Sequence, residues 1–221
     1  MWTRGPLSTI RTLGPFFNRR WEGTMPERQP RKDAARNRQA VLEAADALFT
    51  RSGSAEDLTM AEIATAAGVG KGTLFRAFGD RAGLLRALYE TRLEPLREAV
   101  TAGPPPLGTS TPPRERAVAL LDAMLCFKLD NRPLALALEE SGSGGPYGAE
   151  QYGRWHALLR DVLEQVPGLP HPGFTAHALL SVVRADLVEH LAGREGVPRE
   201  QLRDRLADYV RGVVNRGGAA R

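Results

Sequence analysis

Residues 59–85 read TMAEIATAAGVGKGTLFRAFGDRAGLL, and the order of stops and starts within them decides the fold. Thr59 and Glu62 have the T-x-x-E spacing of a capping box, in which each side chain satisfies a free backbone amide of a helix start. The helix that follows gathers Met60, Ile63, Ala64 and Ala67 on one face. Gly68 then supplies the left-handed conformation that ends a helix cheaply, and Val69 fills the turn. From Lys71 to Phe78 the spacing predicts a short third helix, with Leu74 and Phe78 one turn apart and facing inward. Gly79 stops it, and Asp80 is the N-cap expected for a fourth.

Working outward, Val41, Ala44, Ala45, Leu48 and Phe49 recur at helical spacing between residues 34 and 51, and Gly53 follows as a stop. Downstream, Leu84, Leu85, Leu88 and Tyr89 carry the fourth helix to Glu94, where Pro95 is expected to kink or interrupt it. The stretch 103–113, with five prolines and two glycines, reads as a loop. Helices are expected over 114–130, 133–140, 149–166, 174–192 and 198–215, with a flexible stretch at 141–148 and a turn at 167–173. No segment alternates with period two, and there is no internal repeat. The expected fold is all-α, with about nine helices: a basic, disordered arm over 1–30, a three-helix helix-turn-helix domain over 31–80, and a larger helical domain over 81–221.

Composition narrows the classes. With 42% apolar and 25% charged residues the chain resembles a soluble globular protein, and no apolar run reaches the roughly 20 residues of a membrane span. Cys126 is the single cysteine, which excludes an internal disulfide or a cysteine-based zinc cluster and fits a cytoplasmic protein. The net charge of +4 is uneven: residues 1–40 hold nine Lys/Arg against three Asp/Glu. Such an arm suits phosphates or a minor groove, and equally a solubilising tail. The first 24 residues lack the apolar core and cleavage site of a secretory signal. Met25 opens the polar stretch leading into the first helix, which suggests a translation start there.

Two short helices joined by a tight turn, the second polar on its outer side, form a unit built to enter a major groove. The amino end of the second helix, Gly70 to Thr73, offers free amides and positive dipole to a phosphate, with Gly70 and Gly72 allowing close backbone approach. Lys71 and Arg76 are the candidates for reading bases, since cations reach guanine O6 and N7. Thr73 and Arg81 are candidates for phosphate, and Thr59 and Phe75 complete the DNA-facing set.

The same stretch resembles the TetR-family signature, approximately I-A-x-x-A-G-V-S-x-G-T-L-Y-x-H-F-x-x-K-x-x-L-L. Ile63, Ala64, Ala67, Gly68, Val69, Gly72, Thr73, Leu74, Phe78, Leu84 and Leu85 fall in register. Three positions depart: Phe75 stands for the usual Tyr, removing a phosphate-binding hydroxyl; Ala77 for His or Tyr; and Gly70 for Ser. The resemblance implies a transcriptional regulator that binds double-stranded DNA, most often a repressor released from a palindromic operator by a small molecule. The alternative is a TetR-like protein without inducer, controlled by a protein partner. It also implies that residues from about 81 onward hold a ligand pocket and a homodimer interface. Met124, Phe127, Trp155, His156 and Leu159 are the candidates for an apolar pocket with one polar anchor. Leu179, Val182, Val183, Leu187, Leu206, Tyr209, Val210 and Val213 form stripes suited to a four-helix bundle between two chains.

Other chemistries fit the residues poorly. Gly68-Val-Gly-Lys-Gly-Thr has Gly72 where a Walker A loop needs Ser or Thr after its Lys, and an Ala-rich helix where a dinucleotide fingerprint needs a strand. No serine occupies a G-x-S-x-G frame. His177 and His190, expected on one helix, lie about 20 Å apart along it, too far for one metal. Asp186 and His190, one turn apart, more often make a surface contact than a metal site. No catalytic residues, cofactor or metal are expected.

Overall fold

The computed structural model describes residues 30–52, 59–140 and 150–215, all helices and connections. The N-terminal arm, the suggested start at Met25 and the 141–148 stretch lie outside the described residues. Helix α1 (Pro30–Ser52) lies across α2 (Met60–Ala66) and α3 (Lys71–Phe78), and α4 (Arg81–Ala102) leads into the body. The body consists of α5 (Pro113–Asp130), α6 (Arg132–Glu140), α7 (Glu150–Glu164), α8 (Pro172–Ser181), α9 (Ala185–Glu189) and α10 (Arg199–Asn215). A π-helical turn, His190–Arg194, follows α9.

Two apolar cores organise these helices. The head core joins Val41, Leu42, Ala45 and Phe49 of α1 with Ile63, Ala64 and Leu74 of the two short helices. It also takes Leu84, Leu85 and Leu88 from α4 and Leu134 from α6. A helix of seven or eight residues is unstable alone, so α2 and α3 persist because such side chains leave water, each contributing about 1.5–3 kcal/mol. The body core centres on α5, with Leu121 and Met124 packed among Leu163, Leu179 and Val210. Buried Arg116 supports the 103–112 connection by donating to the carbonyls of Leu107 (2.9 Å) and Val100 (3.0 Å).

The head core extends past residue 80, since α4 and α6 complete it. The structure departs from sequence expectation at two places. Pro95 neither breaks nor ends α4, which continues to Ala102. It is exposed, so water can reach the Thr91 carbonyl that loses its amide partner. The stretch 174–192 is two helices rather than one. Arg184 is extended, held by Asp186, and the Ala185 N–H donates to Glu139 Oε1 at 2.9 Å. A carboxylate from α6 thus caps α9 and fixes the break.

Candidate nucleic-acid interface

The capping box forms as read. Thr59 Oγ1 accepts the Glu62 amide at 3.2 Å, and the Thr59 amide donates to Glu62 Oε2 at 3.2 Å. These bonds hold the Glu62 carboxyl below the usual carboxylate range. The Thr59 hydroxyl also donates to Glu62 Oε2 at 2.6 Å, so its proton is engaged in the cap. Thr59 is therefore the capping residue of α2, and it stays exposed at the start of the helix-turn-helix.

The turn depends on Gly68, whose φ of +65° a side chain rarely tolerates. Its N–H donates to the Thr65 carbonyl, and the Val69 N–H reaches back to Ala64. Val69 packs on the head core, and α3 leaves the turn with Gly70 as an N-cap that has no side-chain cap.

Leu74 is fully buried and Phe78 half-buried, which turns Lys71, Gly72, Phe75 and Arg76 to solvent. Among the described residues Lys71 and Arg76 have neither ion pair nor hydrogen-bond partner, so both cations are available. A Cβ at Gly70 or Gly72 would meet nothing within 4 Å, so this end of α3 is open on its outer side. Phe75 is 48% exposed, so about half of its surface faces solvent on the outer side of α3. Thr73, in the first turn of α3, and Arg81, at the start of α4, are half-buried.

The far end of α3 is held from outside. Asp80 Oδ1 accepts the Gly83 amide at 2.7 Å, and Gly83 lies so close to α3 that a Cβ there would stand 2.0 Å from the Phe78 carbonyl oxygen. Arg38 of α1, which sequence reasoning passed over, donates from Nη1 to the Ala77 carbonyl at 3.0 Å. No local spacing links residues 39 apart, so only the fold reveals it.

In the body the expected pocket residues have different surroundings. Met124 and Leu159 are buried in the core. Phe127 packs edge-to-face on Tyr89 (5.1 Å between centroids), and Trp155 lies half-buried against the core. His156 contacts the Gly173 carbonyl through Nε2 (3.0 Å) and stacks on His177 at 3.8 Å, while Tyr152 meets His177 Nδ1 at 2.6 Å. A groove of about 560 Å³ runs instead between α5 and α10, lined by charged residues including Arg114, Asp122, Arg203 and Arg211. None of the five expected residues lines it. Lys128 is half-buried against Glu139 (2.7 Å), and desolvation pushes its ammonium below the usual lysine range despite that partner.

Leu179, Val183, Leu206 and Val210 are buried within this one chain, so they are not the dimer surface expected of them; they fill the body core. Val182, Leu187 and Val213 are half-buried, and Tyr209 and Phe174 are 48% and 76% exposed. His177 and His190 fall on separate elements. Asp186 pairs with Arg184 and His190 with Glu195. Among the described residues no cluster of three metal-ligating side chains occurs, and no helix is long and apolar enough to cross a membrane.

Comparison with known proteins agrees with this geometry. The profile of bacterial regulatory proteins of the tetR family matches residues 41–88, which take in the second half of α1, the two short helices and the start of α4. An HTH-type transcriptional regulator of Staphylococcus aureus strain MRSA252 is 24% identical over 187 residues, covering 82% of this chain and 96% of that protein. Another, from strain USA300, is 34% identical over 116 residues, 49% of this chain and 57% of that protein. The fold resembles a TetR-like transcriptional regulator from Rhodococcus sp. RHA1, with TM-score 0.54, 23% identity, and coverage of 84% of this chain and 97% of that one. It also resembles LfrR of Mycobacterium smegmatis, solved with proflavine, with TM-score 0.53, 24% identity, and coverage of 80% and 96%. Residues 41–88 thus carry the helix-turn-helix of bacterial regulatory proteins of the tetR family, and over most of its length the chain is similar to helix-turn-helix transcriptional regulators.

Proposed function

We propose that this regulator is a cytoplasmic repressor that pairs as a homodimer on a near-palindromic operator and leaves it when a small molecule binds the body. The observation that carries the reading is α3: an exposed helix with unpartnered Lys71 and Arg76 at its outer face and an open, glycine-flanked amino end. Lys71, Arg76, Thr73 and Arg81, with the amides at Gly70 and Gly72, then contact the duplex. Phe75 adds apolar contact in place of the missing hydroxyl, as a thymine methyl group would accept.

Pairing through the α8–α10 region is supported by the exposed rings of Phe174 and Tyr209 and by the half-buried Val182, Leu187 and Val213. Two-fold symmetry sets two copies of α3 about 34 Å apart, or a multiple of it. The effector then acts by preferring a body conformation that changes this separation; a coupling of about 1–3 kcal/mol alters affinity roughly 5- to 150-fold. LfrR with proflavine is a related fold holding a small molecule, which favours such an effector here.

Selection of bound sequences from a random DNA library tests the reading, with a palindrome expected. Lys71→Ala with Arg76→Ala should then weaken binding to it by about 1–3 kcal/mol or more. Recovery of no sequence, or unchanged binding by the double variant, overturns it.

A further inference from the structure

Arg92, on α4 between the two cores, extends its guanidinium toward two other parts of the molecule. Nε donates to Asp46 Oδ1 at 2.6 Å and Nη2 to Thr50 Oγ1 at 3.2 Å, both on α1. Nη1 donates to Asn131 Oδ1 at 2.8 Å, at the corner between α5 and α6. The guanidinium carbon also lies 4.9 Å from the Phe49 ring centroid. Asn131 is fixed by the body: it is buried, its Nδ2 donates to the Phe127 carbonyl at 2.8 Å, and its own carbonyl accepts the Ala135 amide at the start of α6.

We infer that Arg92 is a positioning residue for operator reading: it fixes the angle of the head against the body, and hence the separation of the two α3 helices in the dimer. The inference rests on the DNA-binding dimer proposed above. Only a planar fork with donors in three directions spans Asp46, Thr50 and Asn131 at once; a lysine has one compact head and reaches one side. Among the described residues of the body Asn131 is the one side-chain partner of this fork, so removing its amide frees the head while the Arg92 bonds to α1 remain.

The test uses the full chain and operators carrying the selected half-sites with their separation changed by one or two base pairs. Wild type should prefer one separation. In Asn131→Ala and Arg92→Lys the preference should shrink at least about fivefold, the lower end of couplings between sites, while half-site sequence choice stays the same. A simple loss of stability lowers binding at every separation by one factor, and that result overturns the inference. Distances between nitroxide labels at Ala66→Cys, in a Cys126→Ser background, give a reading without DNA. The distribution between protomers should broaden in Asn131→Ala, and an unchanged distribution overturns the inference. If wild type binds no DNA, the proposed function itself has failed, which the wild-type arm alone reveals.

Discussion

Arg38 and Phe78 meet at the carboxyl end of the reading helix: the guanidinium carbon lies 4.5 Å from the ring centroid while Nη1 bonds the neighbouring Ala77 carbonyl. A cation at this end complements the helix dipole, and the ring contact fixes where it sits. Arg38→Ala should therefore weaken operator binding, with Arg38→Lys recovering only part. The salt dependence separates positioning from direct phosphate contact. A lost phosphate contact lowers the slope of log affinity against log salt by about 0.9, whereas loss of positioning leaves it unchanged, as expected here.

Gly83 should accept no side chain. With the Phe78 carbonyl oxygen 2.0 Å from an added Cβ, Gly83→Ala must push α4 away from α3. A destabilisation of about 1–3 kcal/mol is expected, as for overpacked sites, and thermal unfolding measures it. A melting temperature equal to that of wild type would contradict the close approach.

Leu134 belongs to α6 by sequence and to the head by packing. Leu134→Ala should cost about 2–5 kcal/mol and should lower amide-exchange protection in α1 and α3, far along the chain. Protection lost only within α6 would show that the head core closes without it.

Stability should fall on mild acidification through His177. Burial, then the charge of neighbouring His156, holds its imidazole below the ordinary value of 6.5. A folded value below the unfolded one means that the unfolded chain binds the extra proton. The contribution is complete above about 6.5 and is lost as pH falls through the depressed folded value. His177 is largely exposed, so the effect is small, and His177→Gln should flatten the drop in denaturation midpoint between about pH 7.5 and 5. An equally steep drop in that variant would assign the dependence elsewhere.

The head was legible because its signals are local. Thr59 and Glu62, Gly68, Leu74 and Asp80 each act within one helical turn, and each performs its expected structural part. The apolar stripes of α8 and α10 were visible too, but a stripe does not say what covers it. Leu179 and Val210 face their own chain's core, while Phe174 faces outward. The break before α9 was invisible because its cap, Glu139, comes from a distant helix. Arg38 and Arg92 were missed for the same reason: their partners lie about 40 positions away in the chain. Pro95 misled because helix interruption depends on whether water reaches the orphaned carbonyl, which a sequence does not display.

Because α4 lends its first turns to one core and its last to the other, hybrid regulators made from this protein have a constrained joint. A graft ending at Gly79 would leave Leu84, Leu85 and Leu88 of the recipient beneath a foreign α1, and Leu134 would still arrive from the wrong parent. Transplanting its sequence preference onto another scaffold calls for carrying Leu88 along and matching the α6 surface, so specificity here is exchanged with part of the framework attached.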